Sequence, residues 1–153
     1  MQKLSNQILD LCEIEKFTSN LSKDISIGDI YLFKGELGAG KTTFIKLLIN
    51  NLYVLNNLPN PATIISPTYP ILITYELSSS QIYHYDLYRV KDLKELDELD
   101  FFENLNNNIT FIEWPEMLIN LPLNKKHYLI NLDMISEKKR KINISLIQKF
   151  NEF

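Results

Sequence analysis

The sequence predicts an α/β fold: a mainly parallel sheet flanked by helices, with antiparallel β-hairpin additions, in one domain spanning residues 1–153. Three observations point there. Apolar strand-like runs alternate with helix-like segments, the pattern of a parallel sheet covered by helices. Three of the chain's four glycines fall in Gly35-Glu36-Leu37-Gly38-Ala39-Gly40-Lys41-Thr42, a complete G-x-x-x-x-G-K-[ST] phosphate-binding loop. A buried-strand run, Ile30-Tyr31-Leu32-Phe33, precedes that loop and a helical pattern follows it. Together these specify a P-loop NTPase fold.

Residues 17–24 predict a short first helix capped by Thr18 or Ser19, and the Gly28-Asp29 turn leads into the P-loop strand. Beyond the loop, residues 43–55 carry Phe44, Leu47, Leu48, Leu52 and Leu55 at helical spacing. Asn56-Asn57-Leu58-Pro59-Asn60-Pro61 is a loop. Residues 71–77 and 82–87 read as a hairpin around Ser78-Ser79-Ser80-Gln81. Residues 92–99 read as an amphipathic helix with Leu93, Leu96 and Leu99 on one side, and residues 108–112 as the next core strand. Residues 128–132 and 141–147 make a second hairpin, joined by Ser136-Glu137-Lys138-Lys139-Arg140, a solvated charge cluster at its turn.

Length and charge bound the function. A chain of 153 residues builds one substantial core and leaves no room for a second catalytic domain. A net charge of −3 and a pI near 5.4 argue against broad electrostatic binding of DNA or RNA, which needs a basic surplus. Any RNA contact is therefore expected to be local or made through a partner. The single cysteine, Cys12, excludes an internal disulfide and a cysteine metal cluster, and reads as a small buried apolar residue. No stretch has the roughly 18 uncharged apolar residues of a membrane span, and no basic-then-apolar leader opens the chain. A cytoplasmic protein without membrane attachment is expected.

The glycine-rich loop names a ligand. Its backbone N–H groups wrap a β-phosphate, and a side chain at Gly38 or Gly40 would obstruct that wrap. Lys41 is spaced to bridge the β- and γ-phosphates, Thr42 to bind Mg²⁺ through its hydroxyl, and the following helix to present its positive N-terminus. A nucleoside triphosphate is the expected ligand.

Three segments compete to act on the γ-phosphate. Ser66-Pro67-Thr68-Tyr69 follows the apolar run Thr63-Ile64-Ile65, near the expected end of a strand. Thr68 there suits a hydroxyl contact to Mg²⁺ or to the attacking water, and equally a Pro-stiffened turn. In Tyr83-His84-Tyr85-Asp86-Leu87-Tyr88-Arg89, strand alternation puts His84, Asp86 and Tyr88 on one face. Asp86 is a candidate for positioning Mg²⁺ or water. Arg89, one of two arginines, suits paired contacts with phosphate or carboxylate, while a structural salt bridge for Arg89 and a strand-edge hydrogen bond for His84 are the plainer roles. The third segment, Ile109-Thr110-Phe111-Ile112-Glu113-Trp114-Pro115-Glu116, delivers Glu113 at the end of an apolar strand, as a Walker B element does. Trp114 reads as core, partner-facing or nucleotide-proximal; Glu116 suits the start of the next helix. His127, beside Lys125 and Lys126, reads as a surface residue.

These motifs occur in the order and approximate spacing seen in the TsaE (YjeE) ATPases, and the chain resembles that family from Thr18 to the last hairpin. The combination of S-P-T-[YF], H-x-D-L-Y-R and I-E-W-P-E is far more specific than the P-loop alone. The resemblance implies a part in making N6-threonylcarbamoyladenosine at position 37 of tRNA. It implies an ATPase that leaves carbamoyl transfer to TsaD, binds the TsaB–TsaD heterodimer and supports its turnover. tRNA is then met indirectly, through the complex. It implies ATP and Mg²⁺ as cofactors, with Gly35 to Thr43 cradling the nucleotide, Thr42, Glu113 and Asp86 at the metal, Thr68 as a switch residue, and Trp114 near the nucleotide. The first helix is shorter and more polar than the family's usual Thr-Glu-rich start, and Thr18 is expected near the base.

Two other readings stand beside this one. A small-molecule kinase would need an acceptor pocket and an Arg-bearing lid. A nucleotide-dependent binding switch would grip a partner with ATP and barely hydrolyse it. GTP is disfavoured, because Asn124-Lys125-Lys126-His127 lacks the Asp of a guanine-reading N-K-x-D and no D-x-x-G occurs.

Overall fold

Four consecutive apolar residues, Ile30 to Phe33, are too hydrophobic to leave any face in water, and they form the centre of the sheet. In the computed structural model, which describes residues 4–119, 121, 123 and 126–147, all four are 0 % exposed within β2 (Ile30–Lys34). Side chains alternate across a strand, so Tyr31 and Phe33 enter one core while Ile30 and Leu32 enter another. Tyr31 stacks on Tyr128 at 4.8 Å, and Phe33 meets Phe44 and Phe111 at 5.7 and 6.0 Å.

Around β2 the described residues form one seven-stranded sheet in the order β1-β7-β6-β2-β5-β4-β3. The other strands are β1 (Leu4–Asp10), β3 (Leu72–Glu76), β4 (Gln81–Asp86), β5 (Ile109–Glu113), β6 (His127–Met134) and β7 (Lys139–Ile147). Pairs β6·β2, β2·β5 and β5·β4 are parallel; pairs β1·β7, β7·β6 and β4·β3 are antiparallel. The expectation of a mainly parallel sheet is thereby corrected to an evenly mixed one with a parallel centre. Both expected hairpins are present and occupy the flanks, and β1 adds a further antiparallel pairing. That first strand has a weak signal: its pairing shifts register between Leu4 and Gln7, around Asn6 at φ 59°.

The helices follow local chemistry that differs from the expectation in detail. Helix α1 (Leu11–Ser22) starts seven residues after the chain enters the sheet, at Asp10 rather than Thr18 or Ser19. Asp10 accepts from the Glu13 N–H at 2.9 Å while the Glu13 carboxylate accepts from the Asp10 N–H at 2.8 Å, a reciprocal cap. Cys12 falls in that first turn and is exposed, not buried. In α2 (Lys41–Leu55) the buried face runs through Phe44, Ile45, Leu48, Ile49 and Leu52. It is rotated from the expected stripe, so Leu55 is exposed and Leu47 only partly buried. Residues 92–99 hold one short turn, α3 (Lys94–Asp97), ended by Asp100 at φ 50°; α4 (Phe101–Asn104) follows. Pro115 opens a turn closed by the Leu118 N–H on its carbonyl at 2.8 Å, so Glu116 begins no helix. The 63–65 run is a loop rather than a strand. His127 opens β6 fully buried, against the surface position expected; its neighbour Lys125 lies outside the described residues.

Helices α1 and α2 cover one sheet face, with Phe17 edge-on to Phe44 at 6.2 Å, and residues 87–105 with Leu118 and Leu123 cover the other. Gly35, just past β2, lies against the backbone of β6. A Cβ there would stand 2.4 Å from the Leu132 carbonyl oxygen, which is backbone and cannot swing aside, whereas a Cβ at Gly38 meets no protein atom within 4 Å. Gly35→Ala is expected to lower unfolding free energy by about 1–3 kcal/mol through overpacking, and Gly38→Ala by only ~1 kcal/mol, for its left-handed backbone at φ 79°. Urea unfolding of both variants checks the order.

Candidate functional site

The loop between β2 and α2 is folded around its own lysine. Lys41, the first residue of α2, turns back so that Nζ donates to the Gly35 carbonyl at 2.7 Å and the Glu36 carbonyl at 3.0 Å. Its ammonium lies 3.7 Å from the Trp114 ring centroid, a cation–π contact. Burial pushes the Lys41 pKa below the usual lysine value, opposed by the nearby carboxylates of Glu113, Asp86 and Glu116. Gly38 and Gly40 take left-handed conformations at φ 79° and 103°, which only glycine adopts readily. Leu37 is exposed at the tip, and Ala39 is buried beneath.

Parallel pairing sets the two acids side by side. β5 pairs with β2 so that Glu113 faces Phe33, and β4 pairs with β5 so that Asp86 faces Glu113. Both carboxylates therefore emerge at the C-terminal ends of adjacent strands, beside the loop that follows β2. Both Glu113 oxygens accept from the Thr42 hydroxyl, at 2.8 and 2.9 Å, and Oε1 lies 2.9 Å from His84 Nε2. Asp86 Oδ2 accepts from Ser66 Oγ at 3.1 Å and Thr68 Oγ1 at 3.2 Å, and Oδ1 from the Tyr88 N–H at 3.0 Å. Backbone strain gathers here too: Ile71 at φ 66° anchors the 66–71 loop by accepting from the Asp86 N–H, and Trp114 at φ 58° folds its ring under Lys41.

A cavity of about 330 Å³ unites these groups. Leu37, Gly38, Gly40, Lys41, Thr42 and Thr43 line one wall; Ser66, Thr68, Asp86, Tyr88, Glu113 and Trp114 line the other. Gly35, Glu36 and Ala39 shape the loop behind it, the first two as acceptors for Lys41. Thr18 does not join the group. It is 0 % exposed between α1 and α2, donates to the Glu15 carbonyl at 3.0 Å, and has no free face for a base.

Both arginines depart from their expected surroundings. Arg89 donates to the Thr68 carbonyl and stacks 3.6 Å from the Tyr69 ring centroid, with no carboxylate partner among the described residues. Arg140, expected in a solvated cluster, donates through Nε to the Ala39 carbonyl at 2.8 Å. His84 is not at a strand edge, since β4 lies between β5 and β3, and it is fully buried against Glu113. Its position two residues before Asp86 carried that signal, because alternation points both to one face. Nothing local to residue 140 marks the Arg140 contact, which spans 101 positions.

A second, more apolar cavity of about 410 Å³ adjoins the first, sharing Gly40 and Thr43. Its walls come from the start of α1 (Leu11, Cys12, Ile14), from Phe44, and from Leu132 and Arg140 of the β6–β7 hairpin.

Comparison with known proteins places the chain in a family. The sequence model of the family described as "Threonylcarbamoyl adenosine biosynthesis protein TsaE" matches residues 9–142. A protein of Rickettsia felis named tRNA threonylcarbamoyladenosine biosynthesis protein TsaE is 41% identical over 132 residues, covering 86% of this chain and 74% of that protein. One of the same name from Aquifex aeolicus is 32% identical over 148 residues, covering 94% of this chain and 98% of that one. The crystal structure of YdiB from Bacillus subtilis superposes with a TM-score of 0.64 at 20% identity, over 96% of this chain and 87% of that one, a likeness of fold. With a family match over residues 9–142 and relatives of that name at 32–41% identity over most of its length, the chain belongs to the TsaE family, the threonylcarbamoyl adenosine biosynthesis proteins.

Proposed function

We propose that this chain is the ATP-binding and ATP-hydrolysing subunit of the machinery that makes N6-threonylcarbamoyladenosine at position 37 of tRNA. It acts in the cytoplasm on the TsaB–TsaD heterodimer, supporting its turnover, and meets tRNA through that complex. The carrying observation is the convergence of Lys41, Thr42, Asp86 and Glu113 on the 330 Å³ cavity beside the glycine loop. That combination of a buried ammonium, a helix N-terminus and two acids is the apparatus of a P-loop NTPase.

The residues fit both cofactors. Gly38 and Gly40 supply the anion cradle, and Lys41 the donor for phosphate oxygens. In this reading Thr43, which lines both cavities, would lie between the phosphates and the base, and the mostly apolar 410 Å³ cavity, bordered by Asp10, Glu137, Lys138 and Arg140, would take the adenine. The Thr42 hydroxyl and Glu113 carboxylate, already in contact, are the pair that would hold Mg²⁺. When bound, the ion neutralises charge on those oxygens.

The chain's own groups divide the remaining work. His84 fixes the Glu113 carboxylate, and Ser66, Thr68 and the Tyr88 N–H fix Asp86. Asp86 is then the carboxylate available to orient the attacking water, and Trp114 with Tyr88, rings 4.8 Å apart, forms one wall of the site. Both arginines are engaged with backbone carbonyls, which supports weak hydrolysis by the chain alone and a stabilising cation supplied by the partner.

Lys41→Ala is expected to weaken ATP binding roughly tenfold to a hundredfold, the worth of a charge-assisted contact, read by calorimetric titration. Glu113→Gln is expected to keep ATP affinity within a few-fold while hydrolysis drops by about a hundredfold or more; if neither changes, Glu113 has no catalytic part. Hydrolysis by the chain should rise strongly when the TsaB–TsaD heterodimer is added, and Lys41→Ala should abolish the rise. Unchanged hydrolysis with no complex formed would instead favour a kinase with its own acceptor, and tight ATP-dependent complex formation without turnover would favour a binding switch.

A further inference from the structure

The β6–β7 hairpin is joined to the P-loop at two points. The Leu132 carbonyl abuts Gly35 closely enough to exclude a Cβ, and Arg140, the second residue of β7, reaches Ala39. The guanidinium of Arg140 is itself held by the hairpin, since Nη1 donates to the Ser136 carbonyl at 2.8 Å and the Lys139 carbonyl at 3.1 Å. Its Nε is thereby aimed at the Ala39 carbonyl from a fixed base.

That bond determines the direction of a neighbouring group. In a planar trans peptide the C=O and N–H point to opposite sides, and no described peptide bond is cis. Drawing the Ala39 carbonyl toward the hairpin turns the Gly40 N–H away from it. The cavities agree: Ala39 and Arg140 line the 410 Å³ cavity, whereas Gly40 also lines the 330 Å³ cavity with Lys41 and Thr42. Gly40, at φ 103°, is the freest residue type in its backbone. Were the 39–40 peptide to flip, a carbonyl oxygen would face an incoming anion in place of a donor.

The geometry points to Arg140 as a positioning residue: by holding the Ala39 carbonyl it presents the Gly40 N–H to the phosphates of the nucleotide. This rests on the nucleotide-binding reading of the loop. Arg140 touches no phosphate in this role, so its effect is carried by peptide orientation and not by its charge alone.

The chain's four glycines make the test direct, because ¹⁵N-glycine labelling of the full chain gives four amide signals. In the wild type, the Gly40 signal is expected to move on titration with Mg·ADP. In Arg140→Ala that signal should already be displaced before nucleotide is added, with Gly28 unmoved as a check on folding, and ADP affinity should fall about tenfold or more. Arg140→Lys keeps the charge but loses the fork that bridges the hairpin and the loop, and should show most of the same displacement and loss. Wild-type affinity in Arg140→Ala with an unmoved Gly40 signal would overturn the role of Arg140 alone, as would full rescue by lysine with the Gly40 signal unmoved. A wild-type chain that binds no Mg·ADP would instead remove the nucleotide reading, and this inference with it.

Discussion

A buried carboxylate is the constraint on which the site depends. Glu113 is 2 % exposed at the end of a strand buried throughout its length, and an uncompensated charge there would cost several kcal/mol. It is compensated by Thr42 on both oxygens and His84 on one. Those partners lie on α2 and β4, so satisfying one acid fixes the start of the P-loop helix and the neighbouring strand together. The parallel register of β2, β5 and β4 then follows as a requirement, since a one-residue slip would turn Glu113 or Asp86 to the opposite sheet face.

The parts of the fold legible in the sequence are those whose cause is local. The glycine loop, both hairpins and the acid ending β5 announce themselves by spacing within one contiguous segment each. Asp10 and Glu13 carried an equally local signal for the start of α1, and the polar run at Thr18 competed with it because its hydroxyls resemble caps. Inside α1 those hydroxyls bond backward to carbonyls: Thr18 to Glu15 and Ser22 to Thr18, at 3.0 and 2.7 Å. The face of α2 was misjudged by a fraction of a turn, because Ile45 and Ile49 supply a stripe as apolar as the one through Leu47 and Leu55.

What was illegible depends on distant packing. His127 sits beside two lysines in sequence yet opens a buried strand next to Ile30, and Cys12 sits among apolar residues yet projects from the exposed first turn of α1. The arginines mislead by chemistry instead. The guanidinium of Arg89 suggests an anion and the charged turn around Arg140 suggests solvent, yet both are tied to carbonyls of loops bordering the site. Their shared role is to brace: Arg89 holds the loop that carries Ser66 and Thr68 to Asp86, and Arg140 holds the loop that carries Gly38 and Gly40.

Cations of this chain thus act on backbone oxygen before any phosphate arrives. Lys41 takes the carbonyls of Gly35 and Glu36, and Arg140 takes that of Ala39, so three of the five carbonyls from Gly35 to Ala39 are drawn to cations. Peptide planarity makes that equivalent to orienting the N–H groups that follow them. The two cations differ in what comes next. Arg140 is tethered to three hairpin carbonyls and has no reason to leave. Lys41, flanked by Glu113 and Asp86 and resting on Trp114, would under the proposed function exchange two neutral acceptors for charged phosphate oxygens, a gain in attraction at little cost in reorganisation. In the nucleotide-binding reading proposed above, a cradle preformed by one fixed cation and one that changes partners would bind its anion without first having to order its own loop.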